Sequence, residues 1–276
     1  MTSRKCRLAL LLTLLAGTAP AHEFWLLPRF FVAPGTRQSI PVFVGENFTG
    51  TRWAGKSSRL TSFVHYAPHG TLDCTQAAKA ADTLNTAVTL GPPGVHVLAF
   101  STNNAFVELE GSKFNAYLRQ EGLDAVLAQR QQRGELAKPG REAYRRCAKT
   151  LIQVGPAGSD TARTYACVAG HPLELVPDQD PYALKAGASL TVRVLADGLP
   201  LRGALVQVWQ RGPGQPTAPP IKLHSNQNGR VLFRLSGASS YLVSAVRMVP
   251  AAAAKTADWQ STWATLTFGG AGISGH

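Results

Sequence analysis

The stretch ASLTVRVLADGLPLRGALVQVWQRG, residues 188–212, decides the fold class of this chain. Apolar and polar residues alternate from Thr191 to Leu195, and a second alternating run extends from Ala204 to Trp209. A period of two residues is typical of a β-strand that buries one face. Turn-forming residues bound both runs, so the stretch predicts two short strands.

Similar runs fill the rest of the C-terminal part. The tetrapeptide NQNG, residues 226–229, predicts a hairpin turn, because Asn-Gly readily adopts the positive φ angles of a tight turn. Seven such runs within about 100 residues predict a β-sandwich. They are PLELVP, ASLTVRVLADG, ALVQVWQRG, IKLHSNQNG, GRVLFRLSG, SSYLVSAVRMV and STWATLTF.

The N-terminal part, from residue 23 to about residue 110, has the same character. In QSIPVFVG, residues 38–45, Ile40, Val42 and Val44 fall on one face of a predicted strand. Further β-rich runs follow at regular intervals and are bounded by Gly and Pro. We therefore expect a second sandwich here.

A helical pattern separates the two β-rich parts. Apolar residues recur at helical spacing from Phe114 to Leu127, which predicts a helix over residues 112–134. REAYRRCAKTLIQV, residues 141–154, predicts a second helix with Tyr144 on its apolar side. Both are rich in arginine, which we interpret as a solvated helix face. These arginines are Arg130, Arg133, Arg141, Arg145 and Arg146.

The sequence thus predicts a mainly β fold with two β-sandwich domains and a helical segment between them. The predicted boundaries are 1–21 for a signal peptide, 22–111 for the N-terminal β-sandwich domain, 112–155 for the helical segment, 156–170 for a linker, 171–268 for the C-terminal β-sandwich domain and 269–276 for a tail.

The first 21 residues, MTSRKCRLALLLTLLAGTAPA, have the features of a secretory signal peptide. Basic residues precede an apolar core from Leu8 to Ala16, and Ala19-Pro20-Ala21 is a small-residue cleavage site. The core is too short to span a bilayer. Cleavage after Ala21 would make His22 the first residue of a protein that we expect in the periplasm.

Charge and hydropathy exclude several classes of partner. The chain carries 28 Lys and Arg against 16 Asp and Glu, and a formal charge of +9 remains without the three basic residues of the leader. These basic residues are spread along the chain without interleaved aromatics, so we expect no nucleic-acid partner. No later segment has the 18 or more apolar residues of a membrane helix, so we expect a protein that does not span the membrane.

Three cysteines follow the leader: Cys74, Cys147 and Cys167. They lack the Cys-x-x-Cys spacing of a zinc site. Export permits a disulfide, for which Cys147 and Cys167 are the candidates, and the alternative is a set of small buried thiols.

Several segments together resemble one family of exported bacterial proteins. HEFWLLP, VGENFTG, HPLELVPDQDPYALKAG and DWQSTWATLTF occur in the family's order. The family is formally a domain of unknown function, and its members are often labelled as associated with nickel uptake. The resemblance implies a transthyretin-like or carboxypeptidase-regulatory-like sandwich in the C-terminal half. It also implies a link with nickel or cobalt, and a metal-ion transporter of the inner or outer membrane as partner. The sequence departs from the family at Arg247, where members commonly carry a histidine.

An N-terminal histidine offers two nitrogens to one metal ion, the α-amine and Nδ1. Both lose their protons at modest cost near neutral pH, and such nitrogens suit nickel and cobalt as well as copper and zinc. His22 is therefore the leading candidate ligand, and Glu23 could add an oxygen. His65 and His96 are further candidates, because they belong to the same predicted domain.

No catalytic motif of the H-E-x-x-H, G-x-S-x-G or P-loop type occurs in the sequence. We therefore expect a non-enzymatic protein. Together with the signal peptide and the N-terminal histidine, the family resemblance implies a periplasmic transition-metal-binding protein that is associated with nickel or cobalt uptake. One alternative is a structural or adhesive β-sandwich protein that binds an envelope polymer or another protein. A second alternative is a copper oxidase with an N-terminal histidine brace.

Overall fold

The computed structural model describes residues 23–80, 86–252 and 255–270. It confirms a mainly β fold with several sheets and few helices. The N-terminal part contains β1 (Glu23–Leu26), β2 (Phe31–Val32), β3 (Thr36–Ser39), β4 (Val42–Glu46), β5 (Thr49–Arg52), β6 (Leu60–Ala67), β7 (Gly70–Asp73), α1 (Thr75–Ala80), β8 (Ala87–Leu90), β9 (Gly94–Thr102) and β10 (Ala105–Leu109). The remainder contains α2 (Gly111–Gln120), α3 (Asp124–Gln132), β11 (Gly140–Val154), β12 (Leu173–Pro177), β13 (Ser189–Ala196), β14 (Leu199–Pro200), β15 (Leu205–Arg211), β16 (Ile221–His224), β17 (Arg230–Arg234), β18 (Ser240–Pro250) and β19 (Trp259–Gly269).

A ten-stranded sheet, the central sheet, joins the two halves of the chain. Its main order is β16-β15-β18-β19-β11-β9-β6-β7, with β2 and β10 also paired to β11. The connection between the halves is the parallel pair β11–β19, in which residues 142–150 lie beside residues 259–267. The sheet therefore crosses the predicted boundary between the two sandwich domains.

The central sheet is covered on both faces. On the face that carries Val206, Val243 and Leu266, which we call the sandwich face, strands β12, β13, β14 and β17 pack as a second sheet around a shared apolar core. On the opposite face, called the helix face, α2 and α3 pack on Trp259 and Trp263. Strand β1, paired with β4, covers a neighbouring part of the helix face. This layering is that of a β-sandwich with additional elements on one side.

The helix predicted over residues 141–154 is wrong, because this segment lies within the 15-residue strand β11. From Arg146 to Val154 every residue is buried, since both faces of the strand are covered. A strand of this kind is a continuous buried run without period-two alternation. The solvated helix face predicted for the arginines is also wrong at Arg130 and Arg146, which are buried. Arg145 is half-buried on the strand and donates to the Thr262 hydroxyl at 3.0 Å.

The helix predicted over residues 112–134 is two helices. Helix α2 ends at Gln120 and α3 begins at Asp124. Gly122, between them, has a φ of +65° and lies so close to Leu205 that a Cβ atom would be 2.7 Å from the Leu205 Cβ. The interruption is therefore a turn against β15 that favours glycine.

The NQNG segment forms a tight turn, but the predicted hairpin is wrong. The Asn226 Oδ1 accepts the backbone N–H groups of Asn228 and Arg230, and Gly229 has a φ of +70°. However, β16 pairs with β15 in the central sheet, whereas β17 pairs with β13 in the sheet on the sandwich face. The turn thus moves the chain from one layer to the other.

Cys74, Cys147 and Cys167 are free thiols, of which the first two are buried. The disulfide considered for Cys147 and Cys167 is therefore absent from the described residues. No helix within these residues has the length and apolar character required to cross a bilayer.

Candidate functional site

Hydrogen bonds hold strand β1 against the central sheet from Phe24 onward. The hydroxyl groups of Thr265 and Thr267 on β19 donate to the backbone oxygens of Phe24 and Leu26 at 2.6 and 2.7 Å. Alternation directs Phe24 and Leu26 into one apolar cluster, and Trp25 into another with Trp209. The predicted signal peptide and His22 lie outside the described residues, and β1 begins at the next residue, Glu23.

The Glu23 carboxyl is buried without a hydrogen-bond partner for its Oε2 atom. Only 5% of the residue is exposed. Burial raises the pKa of Glu23 to about 8, and the nearby carboxyls of Glu121 and Glu46 contribute to the rise. A buried acid of this kind becomes charged more easily when a cation lies beside it.

Glu121 supplies a second buried carboxyl from the turn between α2 and α3. Its Oε2 accepts a hydrogen bond from the Gln207 side chain at 3.2 Å. Burial raises the pKa of Glu121 to about 7, although Lys222 and the Gln207 hydrogen bond oppose the shift. We call Glu23, Glu46, Glu121 and Gln207 the carboxyl cluster.

Through Gln207, the carboxyl cluster continues into a row of polar side chains on the helix face. Gln207, Ser244 and Thr265 are neighbours across β15, β18 and β19, and all three are buried. Aromatic residues around Trp25 and Trp209 pack on one side of this row, and the α2–α3 core packs on the other. A polar site between two apolar clusters has few ways to rearrange, so its groups are well positioned.

His65 and His96 form a second site, on β6 and β9. The Nε2 atom of His65 lies 2.7 Å from Nδ1 of His96, and Nε2 of His96 lies 2.9 Å from the Pro92 carbonyl oxygen. Because a carbonyl oxygen only accepts, Nε2 of His96 carries a proton, and Nδ1 of neutral His96 accepts from His65. The proton-free nitrogen of the neutral pair is therefore Nδ1 of His65.

Both imidazoles are held in the neutral form. Burial and then the neighbouring His96 lower the pKa of His65 to about 4, and burial also lowers the pKa of His96. The pair lines a cavity of about 300 Å³ together with the exposed His69. The environment thus favours lone pairs on nitrogen over positive charge.

The structure divides the predicted ligands between these two places. His65 and His96 lie together in one site. Glu23 lies in the other, where its charged neighbours are Glu121 and Glu46. No group of three or more His, Cys, Asp or Glu side chains within the described residues is arranged to hold a metal ion. Arg247, at the position of the family histidine, instead forms an ion pair with Asp197 at 2.6 Å.

The sequence did not indicate Glu121 or Gln207. In the sequence, Glu121 is one polar residue within a predicted helix, and Gln207 is one polar residue within the alternating run from Ala204 to Trp209. Their burial depends on β1, α2 and β15 meeting in space. The available signals are the Glu-Gly pair that interrupts the helix at residues 121–122 and the glutamine between Val206 and Val208.

Comparison with known protein families identifies the family of this chain. A family model described as "Domain of unknown function (DUF4198)" matches residues 19–248, which is most of the chain and includes both candidate sites. No curated protein matches the chain.

Proposed function

Since the chain belongs to the DUF4198 family, whose function is unknown, we propose a function from the site itself. The protein is an exported, non-enzymatic binder of a divalent transition metal, and His22 at the processed N-terminus is its principal ligand. The observation that carries this proposal is the buried Glu23 carboxyl, whose Oε2 atom has no hydrogen-bond partner at the start of an anchored strand.

The donor set suits nickel or cobalt. His22 would supply the α-amine and the imidazole Nδ1 atom, and it is joined by one peptide bond to Glu23. Glu23 and Glu121 would add carboxylate oxygens. A mixed nitrogen and oxygen set also binds copper and zinc, because affinity for divalent ions rises toward copper in such sites.

A cation would relieve an unfavourable arrangement. Two buried carboxyls that repel each other when ionised cost free energy, and a bound divalent ion removes that cost. The anchoring of β1 by Thr265 and Thr267 would limit the freedom of the terminus and so reduce the entropy lost on binding. Delivery to a metal-ion transporter in the inner or outer membrane is the role that we propose for the loaded protein.

The test is a titration of the processed protein with nickel, cobalt and copper after its N-terminus has been sequenced. We expect His22→Ala to weaken nickel binding at least tenfold and Glu23→Gln to weaken it by about tenfold, as loss of a ligand or its support usually does. His224→Ala, at an exposed histidine on β16, is the matched control and should bind as the unmodified protein does. Equal affinity in all four proteins, or a processed chain that does not begin at His22, would refute the proposal.

A further inference from the structure

A cavity of about 510 Å³ lies where the α3–β11 connection meets β18 and β19. None of its lining residues belongs to the carboxyl cluster or to the histidine pair. Four cationic side chains line it: Arg130, Arg133, Lys138 and Arg141. Its volume is within the range of small-molecule binding sites.

Arg130 is a buried guanidinium that the fold holds in place. It is 1% exposed, its Nε donates to Asn115 at 3.1 Å, and its Nη2 donates to the backbone oxygens of Glu135 and Lys138 at 2.7 and 2.6 Å. Its guanidinium carbon lies 4.9 Å from the centre of the Phe114 ring. All these partners are uncharged, so they orient the guanidinium without neutralising it.

The N–H groups of Arg130 that have no partner indicate a ligand-binding role. Nη1 has no hydrogen-bond partner within the part of the chain that the structure describes, and the residue lines the cavity. Burial lowers the pKa of Arg130, because the guanidinium charge has lost part of its hydration. An anion in the cavity would accept those N–H groups and offset this loss of hydration.

The charges around the cavity leave two arginines for such an anion. Arg141 is paired with Asp258, with 2.6 Å between Nη2 and Oδ1, and the Lys138 ammonium is 3.8 Å from Glu135. In the described residues, neither Arg130 nor Arg133 forms an ion pair, although the charges of Glu135 and Asp258 attract Arg130 from a longer distance. Glu108 is the third carboxylate on the wall, so four cations face three carboxylates.

Apolar residues line part of the same cavity. Arg133 lies over the Trp259 ring at 5.9 Å, and prolines at positions 139 and 250 are further lining residues. An inorganic anion would use the guanidinium groups alone, whereas an organic anion would also contact this surface. The combination favours a ligand with a charged end and a carbon skeleton.

We propose that this cavity binds a small organic carboxylate, with Arg130 and Arg133 as the carboxylate-binding groups and Trp259 as the apolar wall. Guanidinium groups bind carboxylates through two parallel hydrogen bonds, which gives direction as well as attraction. This activity is separate from the proposed metal binding, because it uses none of the same residues.

The test is calorimetric titration of the metal-free protein with succinate and with benzoate at low ionic strength. We expect saturable binding of at least one of them, about tenfold weaker in Arg133→Gln because a charged hydrogen bond is lost. Arg133→Lys, which keeps the charge, should recover part of the affinity. Arg119→Gln, at an exposed arginine of α2 outside the cavity, is the matched control and should bind as the unmodified protein does.

A second variant tests the buried arginine. Arg130→Lys keeps the charge but loses the Nη1 donors, and it should bind less tightly than the unmodified protein if circular dichroism shows a folded chain. Absence of saturable binding for both carboxylates would overturn the proposal. Binding that is unchanged in Arg133→Gln would overturn it as well, and neither result depends on whether His22 binds a metal.

Discussion

Glu142 is a third buried carboxyl on the helix face, and its environment differs from that of Glu23. The Tyr117 hydroxyl donates to Glu142 Oε1 at 3.2 Å, and the Ser261 hydroxyl donates to the same atom. Burial nevertheless raises the pKa of Glu142 to about 7, because two neutral donors do not replace the hydration of a carboxylate. The two hydrogen bonds thus hold this carboxyl in position, but they do not stabilise its charged form enough to restore an ordinary pKa.

We expect Glu142→Gln to become more stable, relative to the unmodified protein, as pH rises. The carboxyl has a pKa of about 7 when folded and an ordinary value near 4.5 when unfolded. Its stabilising contribution is therefore complete below pH 4.5 and is lost as pH rises to 7. Between pH 5 and pH 8 the difference in unfolding free energy should shift by about 2–3 kcal/mol in favour of the variant. Urea unfolding at both pH values measures it.

The exposed Glu110 provides the control for this measurement. Its carboxylate is 3.4 Å from Lys113 on the surface, so Glu110→Gln should change the unfolding free energy by the same small amount at both pH values. A Glu142→Gln variant that behaves as Glu110→Gln does would show that the Glu142 carboxyl does not titrate near neutrality.

The sequence identified some individual residues of the candidate sites, but it did not predict how they are arranged in space. His65 and His96 could be named because both belong to the predicted domain that contains His22, and pairing of β6 with β9 brings them to 2.7 Å. Glu121 could not be named, because nothing near it in the sequence indicates that β15 covers it. Burial of a polar residue depends on distant parts of the chain.

At the level of elements, β11 shows why one helix was predicted wrongly. Tyr144 and Cys147 or Ala148 occur at helical spacing, and the arginines between them suggested a solvated face. The strand is central and covered on both faces, so it has no exposed side on which period-two alternation could appear. A buried run of residues in a strand cannot be distinguished from one in a helix by periodicity alone.

The turn between α2 and α3 can be tested with matched glycines. Gly122 and Gly134 both have a φ of +65°, but a Cβ at Gly122 would be 2.7 Å from Leu205 Cβ, whereas a Cβ at Gly134 would meet nothing within 4 Å. Gly134→Ala should therefore lose only about 1 kcal/mol of unfolding free energy from backbone strain. Gly122→Ala should lose a further 1–3 kcal/mol, roughly, from overpacking. Equal losses in urea unfolding would contradict the close contact with β15.

At the scale of the whole molecule, the central sheet makes the two halves depend on each other. The mainly β class followed from the sequence, since alternation and turn residues are local signals. The joining of the two halves did not follow from the sequence, because the parallel pair β11–β19 links residues more than 100 positions apart. Long-range pairing leaves no local signature, and only the packed structure shows that strands of both predicted sandwiches belong to one sheet, joined through β11.

We therefore expect the described part of the chain to unfold as one cooperative unit. Leu98 on β9 and Leu266 on β19 are both 0% exposed and lie in different predicted domains. Replacement of either by alanine should cost about 2–5 kcal/mol. Because one sheet contains both strands, each variant should shift the same single calorimetric transition, with equal calorimetric and van't Hoff enthalpies. Two transitions, each lowered by only one of the variants, would show instead that the halves are independent domains and that the β11–β19 pairing contributes little.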